Sequence, residues 1–158
     1  MYLGGAMTNL LKGEEIVSSA EGLISAKKQQ GEFSLDLTIN TISLINLGGA
    51  LDFGGSEYQE ASTSLLEPEK KTPDEPYGWW NLDTGDYLIR FNERIKIPAK
   101  GLIMILPHER LLAAGASHAP IAVENLDQNI SVPIHVGPAG LKIKQNARVS
   151  KAVVLSGE

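Results

Sequence analysis

Three runs in this chain alternate apolar and polar residues with a period of two, and that pattern constrains the fold more than any other feature. Phe33, Leu35, Leu37 and Ile39 face one way while Ser34, Asp36 and Thr38 face the other. Tyr87, Ile89 and Phe91 repeat the pattern, continued by Ile95 and Ile97, and Ile130, Val132, Ile134 and Val136 repeat it again. A period of two puts successive side chains on opposite faces of an extended strand, so each run predicts a strand with one face on a core. The first reads as a half-buried strand carrying Asp36 on its polar side. Pro133 has no backbone N–H to donate, which confines the third to a sheet edge or a bulge. Leu102–Leu106 is apolar without interruption and predicts a strand covered on both sides. Leu141–Lys144 and Val149–Leu155 supply the last strands, with Gln145–Arg148 as the turn between them.

Helix is scarce. Leu11, Glu14–Ile16 and Val17 fit a short N-terminal helix whose length Gly13 and Gly22 limit. Glu109–Ala114 fits one or two helical turns, ended by Gly115 at the C-cap. Ile42–Phe53 holds weak strand segments near the pairs Gly48–Gly49 and Gly54–Gly55. The segment 57–78, with Pro68, Pro73 and Pro76 among charged residues, reads as a long surface loop. The fold class is therefore all-β with one or two short helices, and a length of 158 residues suits a single domain over 1–158. Short strands joined by turns indicate a closed barrel or a jelly roll, which periodicity alone does not separate.

Composition removes several classes of function. The formal charge of -5, with lysine and arginine scattered along the chain, gives no basic patch and no nucleic-acid footprint. The absence of cysteine excludes disulfides, thiolate metal sites and a cysteine nucleophile. Met1–Leu11 is mildly apolar without a basic leader, and no segment approaches membrane-spanning length, so a soluble cytoplasmic protein without membrane partners is expected. His108, His118 and His135 lie far apart, and Leu112 breaks any H-E-x-x-H after His108-Glu109. The glycine pairs fit turns rather than a phosphate cradle, and Trp79–Trp80 fits a packing anchor.

One stretch carries an ancestry. Trp79–Pro98 reads W-W-N-L-D-T-G-D-Y-L-I-R-F-N-E-R-I-K-I-P, and Gly101–Gly115 reads G-L-I-M-I-L-P-H-E-R-L-L-A-A-G. This frame resembles the archaeal branch of the dUTP diphosphatase family and its relatives the dCTP deaminases. There, an N-E-x-(I/V)-x-I-P run leads to a buried strand and then to a Pro-Arg-Ser-Ser-Leu motif opening a short helix. The resemblance extends over most of the chain, from Lys12 to Val154, and is strongest at 79–107 and 140–148. It implies a distorted β-barrel, a homotrimer, and hydrolysis of a deoxynucleoside triphosphate between its α and β phosphates with Mg²⁺ as cofactor.

The motifs match unevenly. Leu35-Asp36-Leu37-Thr38 fits the first, which implies Asp36 as the carboxylate that positions hydrated Mg²⁺. In the second, Pro107 and Leu111 match, but His108, Glu109 and Arg110 fill the Arg-Ser-Ser slot. Glutamate repels phosphate, and only Arg110 keeps a charge for substrate. In the third, Glu124 falls at the catalytic aspartate, as a general base on a longer arm, and Asp127 falls at the aromatic residue that holds the base. Capping of the hairpin turn is the competing reading for Asp127. The fourth motif keeps its shape from Gly140 to Val149 and implies Arg148 at the site, in the turn or at a subunit contact, with Lys151 in the glutamine slot. The fifth, a glycine-rich arm, has no counterpart up to Glu158, and the strand 130–136 lacks the glutamate that deamination needs.

The sequence thus predicts a dUTP pyrophosphohydrolase-like homologue with weak, altered or absent activity. The alternatives are an active Mg²⁺-dependent enzyme using Glu124, and a non-catalytic structural or protein-binding trimer.

Overall fold

The computed structural model describes residues 7–98 and 100–157. In chain order the elements are β1 (Thr8–Leu10), α1 (Gly13–Ser18), β2 (Ala20–Glu21), α2 (Ala26–Gln29), β3 (Leu35–Leu47), β4 (Ser62–Leu66), β5 (Trp79–Leu82) and β6 (Gly85–Phe91). Then come β7 (Arg94–Ile95), β8 (Gly101–Pro107), α3 (Glu109–Ala114), β9 (Ala116–Ser117), β10 (Ile121–Val123), β11 (Val132–Val136), β12 (Leu141–Lys144) and β13 (Arg148–Gly157). The main sheet runs β10-β8-β13-β3-β6-β11-β9, with β1 added to β13 and β4 added to β3. Two ribbons, β12-β5 and β2-β7, complete the framework.

The long strand β3 is what curls the sheet. Its first half, from Leu35 to Thr38, pairs with β13, and its second half pairs with β6 on one side and β4 on the other. Register shifts fall between Ile39 and Thr41 opposite β6, and between Arg148 and Ser150 on β13. Irregularities of this kind bend a strand and raise its twist, so β3 turns away from one neighbour as it meets the next. The sheet wraps as a half-barrel around Leu35, Leu37, Ile39, Ile42, Ile89, Ile103, Ile105 and Ile134, each at most 1% exposed. The expected all-β distorted barrel is observed, with three short helices among the described residues instead of one or two.

Most predicted strands appear where alternation placed them. Pro133 has β6 beside it across Leu88, whereas β9 pairs only with His135 and Val136, so its missing N–H falls on the open edge. Helix α3 ends at Gly115 in the left-handed region, φ 108°. Helix α1 begins at Gly13, where a Cβ would stand 1.8 Å from the Gly31 carbonyl oxygen, so only glycine allows this approach.

Four expectations need correction. Strand β3 starts at Leu35, leaving Phe33 outside it and 41% exposed. Its polar side is covered, not solvated: Asp36 is 9% and Thr38 2% exposed. The loop over 57–78 contains β4, which pairs with β3 from Ile42 to Leu47, and a further bridge joins Glu69 to Trp79. On β8 only Ile103 and Ile105 are buried, while Leu102 is 37% exposed and Met104 and Leu106 are half-buried on the outer face. One chain covers that strand on one side only.

Candidate functional site

The junction of β3, β13 and the start of α3 gathers the polar residues that the motifs singled out. His108 precedes α3 with an extended backbone, and its Nδ1 accepts the Arg110 backbone N–H at 3.0 Å. An accepting Nδ1 leaves the ring proton on Nε2, which points at Asp36 Oδ2, 3.3 Å away. Arg148 Nη1 donates to the same oxygen at 3.3 Å and to the Lys28 carbonyl at 3.2 Å. Asp36 is thus a buried carboxylate balanced by one guanidinium and one imidazole N–H, which is how a desolvated charge is tolerated.

Behind this group lies a second buried carboxylate to which sequence reasoning gave no role. Glu93, from the N-E-x run, is 1% exposed. It accepts from the Thr38 N–H at 2.7 Å, from the Thr38 hydroxyl and from Gln29 Nε2 at 2.9 Å. Gln29 also donates to the Asp36 carbonyl at 2.9 Å and accepts the Ile24 and Ser25 N–H groups at 2.8 Å. Glu93 therefore fixes the backbone of β3 at the point where Asp36 leaves it. Burial pushes its carboxyl above the ordinary glutamate value, against the pull of its donors.

The residues in the Arg-Ser-Ser slot point three ways. His108 turns inward to Asp36. Glu109 lies on the surface with Lys151, whose Nζ is 2.8–2.9 Å from its oxygens. The hydrogen bond from Lys151 is the main reason its pKa falls to about 2, so this carboxylate is charged at any working pH. Only Arg110 remains for an outside ligand. It lines a cleft of about 380 Å³ between α3 and β12, together with Lys142, Lys144 and Arg148.

That cleft corrects the expectation of no basic patch. In the ribbon β5-β12, Trp80, Leu82 and Ile143 face the core, while Lys142 stands opposite Asn81 and Lys144 opposite Trp79 on the outer side. Lys144 Nζ lies 5.6 Å from the centre of the Trp79 ring and Lys71 Nζ 4.9 Å, within cation–π range. Among the described residues, no carboxylate lies within ion-pair distance of Arg110, Lys142 or Lys144. The two lysines at i and i+2 on a strand were visible as a same-face pair. Arg110 was not, because α3 brings it there from a distant part of the chain.

Glu124 and Asp127 stand apart from this cleft within the chain. Glu124 follows β10 and lines a separate cleft of about 500 Å³ with Lys96 and Lys100. Asp127 Oδ1 accepts the Asn129 N–H at 2.8 Å, so its carboxylate caps the turn. Leu126 between them is buried and bridges Ile95 through two backbone hydrogen bonds of 2.8 and 2.9 Å. The structure brings Asp36 to Arg148 and Arg110 to Arg148, and leaves Glu124 and Asp127 elsewhere.

Asp36 does not fit a resident Mg²⁺. Its Oδ2 already faces Arg148 and His108, and a divalent cation beside a guanidinium would be repelled. No cluster of three or more His, Cys, Asp or Glu side chains suited to a metal occurs among the described residues. No helix there is long and apolar enough to cross a membrane.

Comparison with known proteins points one way. No protein-family model matches the chain. A protein of Methanosarcina mazei named "probable deoxyuridine 5'-triphosphate nucleotidohydrolase" is 31% identical over 132 residues, which cover 82% of this chain and 73% of the relative. A protein of the same name from Methanosarcina acetivorans is 29% identical over 132 residues, with the same shares of each chain. The crystal structure of 2'-deoxycytidine 5'-triphosphate deaminase from Agrobacterium tumefaciens matches 95% of this chain with a TM-score of 0.59 at 14% identity. The match takes in 47% of the deaminase, so this chain spans about half its length.

Proposed function

The chain belongs to the deoxyuridine 5'-triphosphate nucleotidohydrolase family, and from that premise we propose that it binds nucleoside polyphosphate but hydrolyses dUTP weakly or not at all. The observation that carries this reading is the mutual neutralisation at the start of α3. Where the family pattern has arginine and two serines, His108 is held by Asp36 and Glu109 by Lys151. Donors aimed at developing phosphate charge are the largest single contribution to this kind of catalysis. Here two of the three groups in that slot are engaged by side chains outside it, and one of them is an anion.

The remaining positive charge lies at Arg110 and in the cleft it shares with Arg148, which we assign to substrate phosphates. Mg²⁺ on this reading enters as the counterion of the nucleotide, not as a resident of Asp36. Asp127 keeps its place as a turn cap and contributes nothing to base recognition. Glu124 acts as a base only if a neighbouring copy brings its cleft to Arg110.

A homotrimer in the cytoplasm is part of the same proposal. The outer face of β8 and β13 supports assembly: Leu102 stands opposite Leu155 and Met104 opposite Val153, with Leu10 of β1 also opposite Leu155. This apolar face, with Leu102 37% and Leu10 46% exposed, suits burial against another copy. Light scattering at micromolar concentration is expected to give three times the chain mass of 17.0 kDa, and a monomer would remove that element.

The central test is pyrophosphate release from dUTP with Mg²⁺, run beside the Methanosarcina mazei relative. Loss of a well-placed base alone lowers rates by about 10²–10⁴, so a kcat/KM at least about 10²-fold below the relative is expected. A comparable kcat/KM, abolished by Glu124→Gln, would instead establish the active enzyme.

A further inference from the structure

We infer that the α3–β12 cleft recognises the oligophosphate chain itself and does not read the nucleobase, so that inorganic tripolyphosphate is as good a ligand as any nucleoside triphosphate. This rests on the nucleotide-binding reading above and specifies its ligand class.

Charge placement argues for a chain of linked anions. Lys142 and Lys144 project on one side of β12, separated by about 6.8 Å at the rise of two strand residues. Arg110 faces them from α3, and Arg148 closes one end with Nη1 turned inward to Asp36. Three of these four cations have no carboxylate partner among the described residues, in a chain whose formal charge is -5. Uncompensated cations spread along a strand suit an extended polyanion better than one compact ion, because each charge meets its own phosphate. Lys142 and Lys144 stand at open positions of the Gly140–Val149 motif, which itself calls for no cation there.

Two observations argue against base readout. The hairpin aligned with the base-holding motif carries Asp127 in place of an aromatic ring, and that carboxylate is spent on Asn129 whichever copy presents the hairpin to the cleft. Among the described residues lining the cleft the aromatic ring is Trp79, which is engaged by Lys71 and Lys144. An ammonium group over the indole competes with a base for the same π face. Asn146 on the cleft wall accepts from Asn92 Nδ2 at 2.9 Å through its Oδ1, so only its amide N–H groups remain for directed contact, too little for strong discrimination between bases.

The test uses the whole chain in its native assembly, titrated calorimetrically with tripolyphosphate, dUTP, dCTP and ATP at about 50 and 200 mM salt. The four ligands are expected to bind within a few-fold of one another and to weaken together as salt rises. Lys142→Gln/Lys144→Gln removes two charge-assisted contacts and is expected to weaken all four by at least about tenfold. A charge-matched control, Lys12→Gln/Lys27→Gln, is expected to leave them unchanged, and melting curves check that both variants fold. A preference of more than about tenfold for dUTP would overturn the inference. So would nucleotide binding that survives Lys142→Gln/Lys144→Gln. Nucleotides that bind while tripolyphosphate does not would sink the inference and leave the nucleotide-binding reading intact. If none of the four binds, both fall.

Discussion

Glu93 offers the sharpest check on how the site is held, because its partners define both the size and the pH dependence of what its removal costs. In Glu93→Ala, the Thr38 N–H and the Gln29 amide, now at 2.7 and 2.9 Å from the carboxylate, lose their acceptor inside the core. Each stranded donor costs about 1–3 kcal/mol. The vacated volume adds a cavity cost of about 1 kcal/mol or more, while removing a buried charge returns part of the sum. The expected net loss is about 3 kcal/mol, or about 6–12 °C in melting temperature for a domain of this size. Denaturant and thermal unfolding should be compared at one protein concentration, since assembly shifts both.

The pH dependence has a definite sign. Burial raises the Glu93 pKa above its ordinary 4.5, so the folded chain holds this proton more tightly than the unfolded one. Stability from the group is fully present below the unfolded value and declines as pH rises through the higher folded value. Glu93→Gln does not titrate, so the parent should lose stability relative to it as pH is raised from 4.5. A parent-minus-Gln difference that stays flat from about pH 4 to pH 8, or a Glu93→Ala loss under about 1 kcal/mol, would refute the account of Glu93 as a desolvated anchor of β3.

His118 should give the opposite slope. Its Nδ1 lies 2.8 Å from the Ala119 carbonyl and its Nε2 2.8 Å from Ser150 Oγ, and burial lowers its pKa from 6.5. Stability is present above about pH 6.5 and lost as pH falls through the lower folded value, so His118→Gln should flatten urea midpoints measured between pH 7 and pH 5. Glu109, with its pKa near 2, is charged across the working range. Glu109→Gln removes an anion next to Arg110 and releases Lys151, so tripolyphosphate affinity should rise by about two- to fivefold at low salt, independently of pH above about 4. Unchanged affinity at about 20 mM salt would show that Glu109 does not act on the cleft.

The parts of the fold legible in the sequence are those in which one strand reports on itself. Tyr87, Ile89, Phe91, Val132, Ile134 and Val136 alternate, and all six are buried. What a strand cannot report is the content of the space beyond its other face. Asp36 and Thr38 read as a solvated side because nothing nearby in sequence covers them, yet Gln29, Glu93, His108 and Arg148 converge there from four separate segments. Strand β4 was missed for a related reason: Ser62-Thr63-Ser64 is exposed and polar, and its pairing comes from the far half of β3, not from burial of its own side chains. On β8 the uninterrupted run is correct about hydrophobic demand, but a single chain covers only Ile103 and Ile105. The basic cleft was hidden by counting charges along the chain when only folding places Arg110 opposite Lys142 and Lys144.

The two departures from the family pattern at Glu109 and Lys151 are best understood as one change. Glutamate where the pattern has serine puts an anion at the head of α3, and lysine where it has glutamine puts a cation on β13 within 2.8 Å of it. Either substitution alone would leave an unmatched charge beside a phosphate site: the glutamate would repel the substrate, and the lysine would be free to bind it. Together they close on each other, and because the pair is exposed, its value to stability is small. With Lys151 held by Glu109 and His108 by Asp36, the start of α3 presents positive charge outward through Arg110, beside Lys142 and Lys144 of β12. Among the described residues Lys142 and Lys144 have no carboxylate within ion-pair distance, so the positive charge of this part of the chain that is not paired with carboxylate lies at Arg110 and on β12.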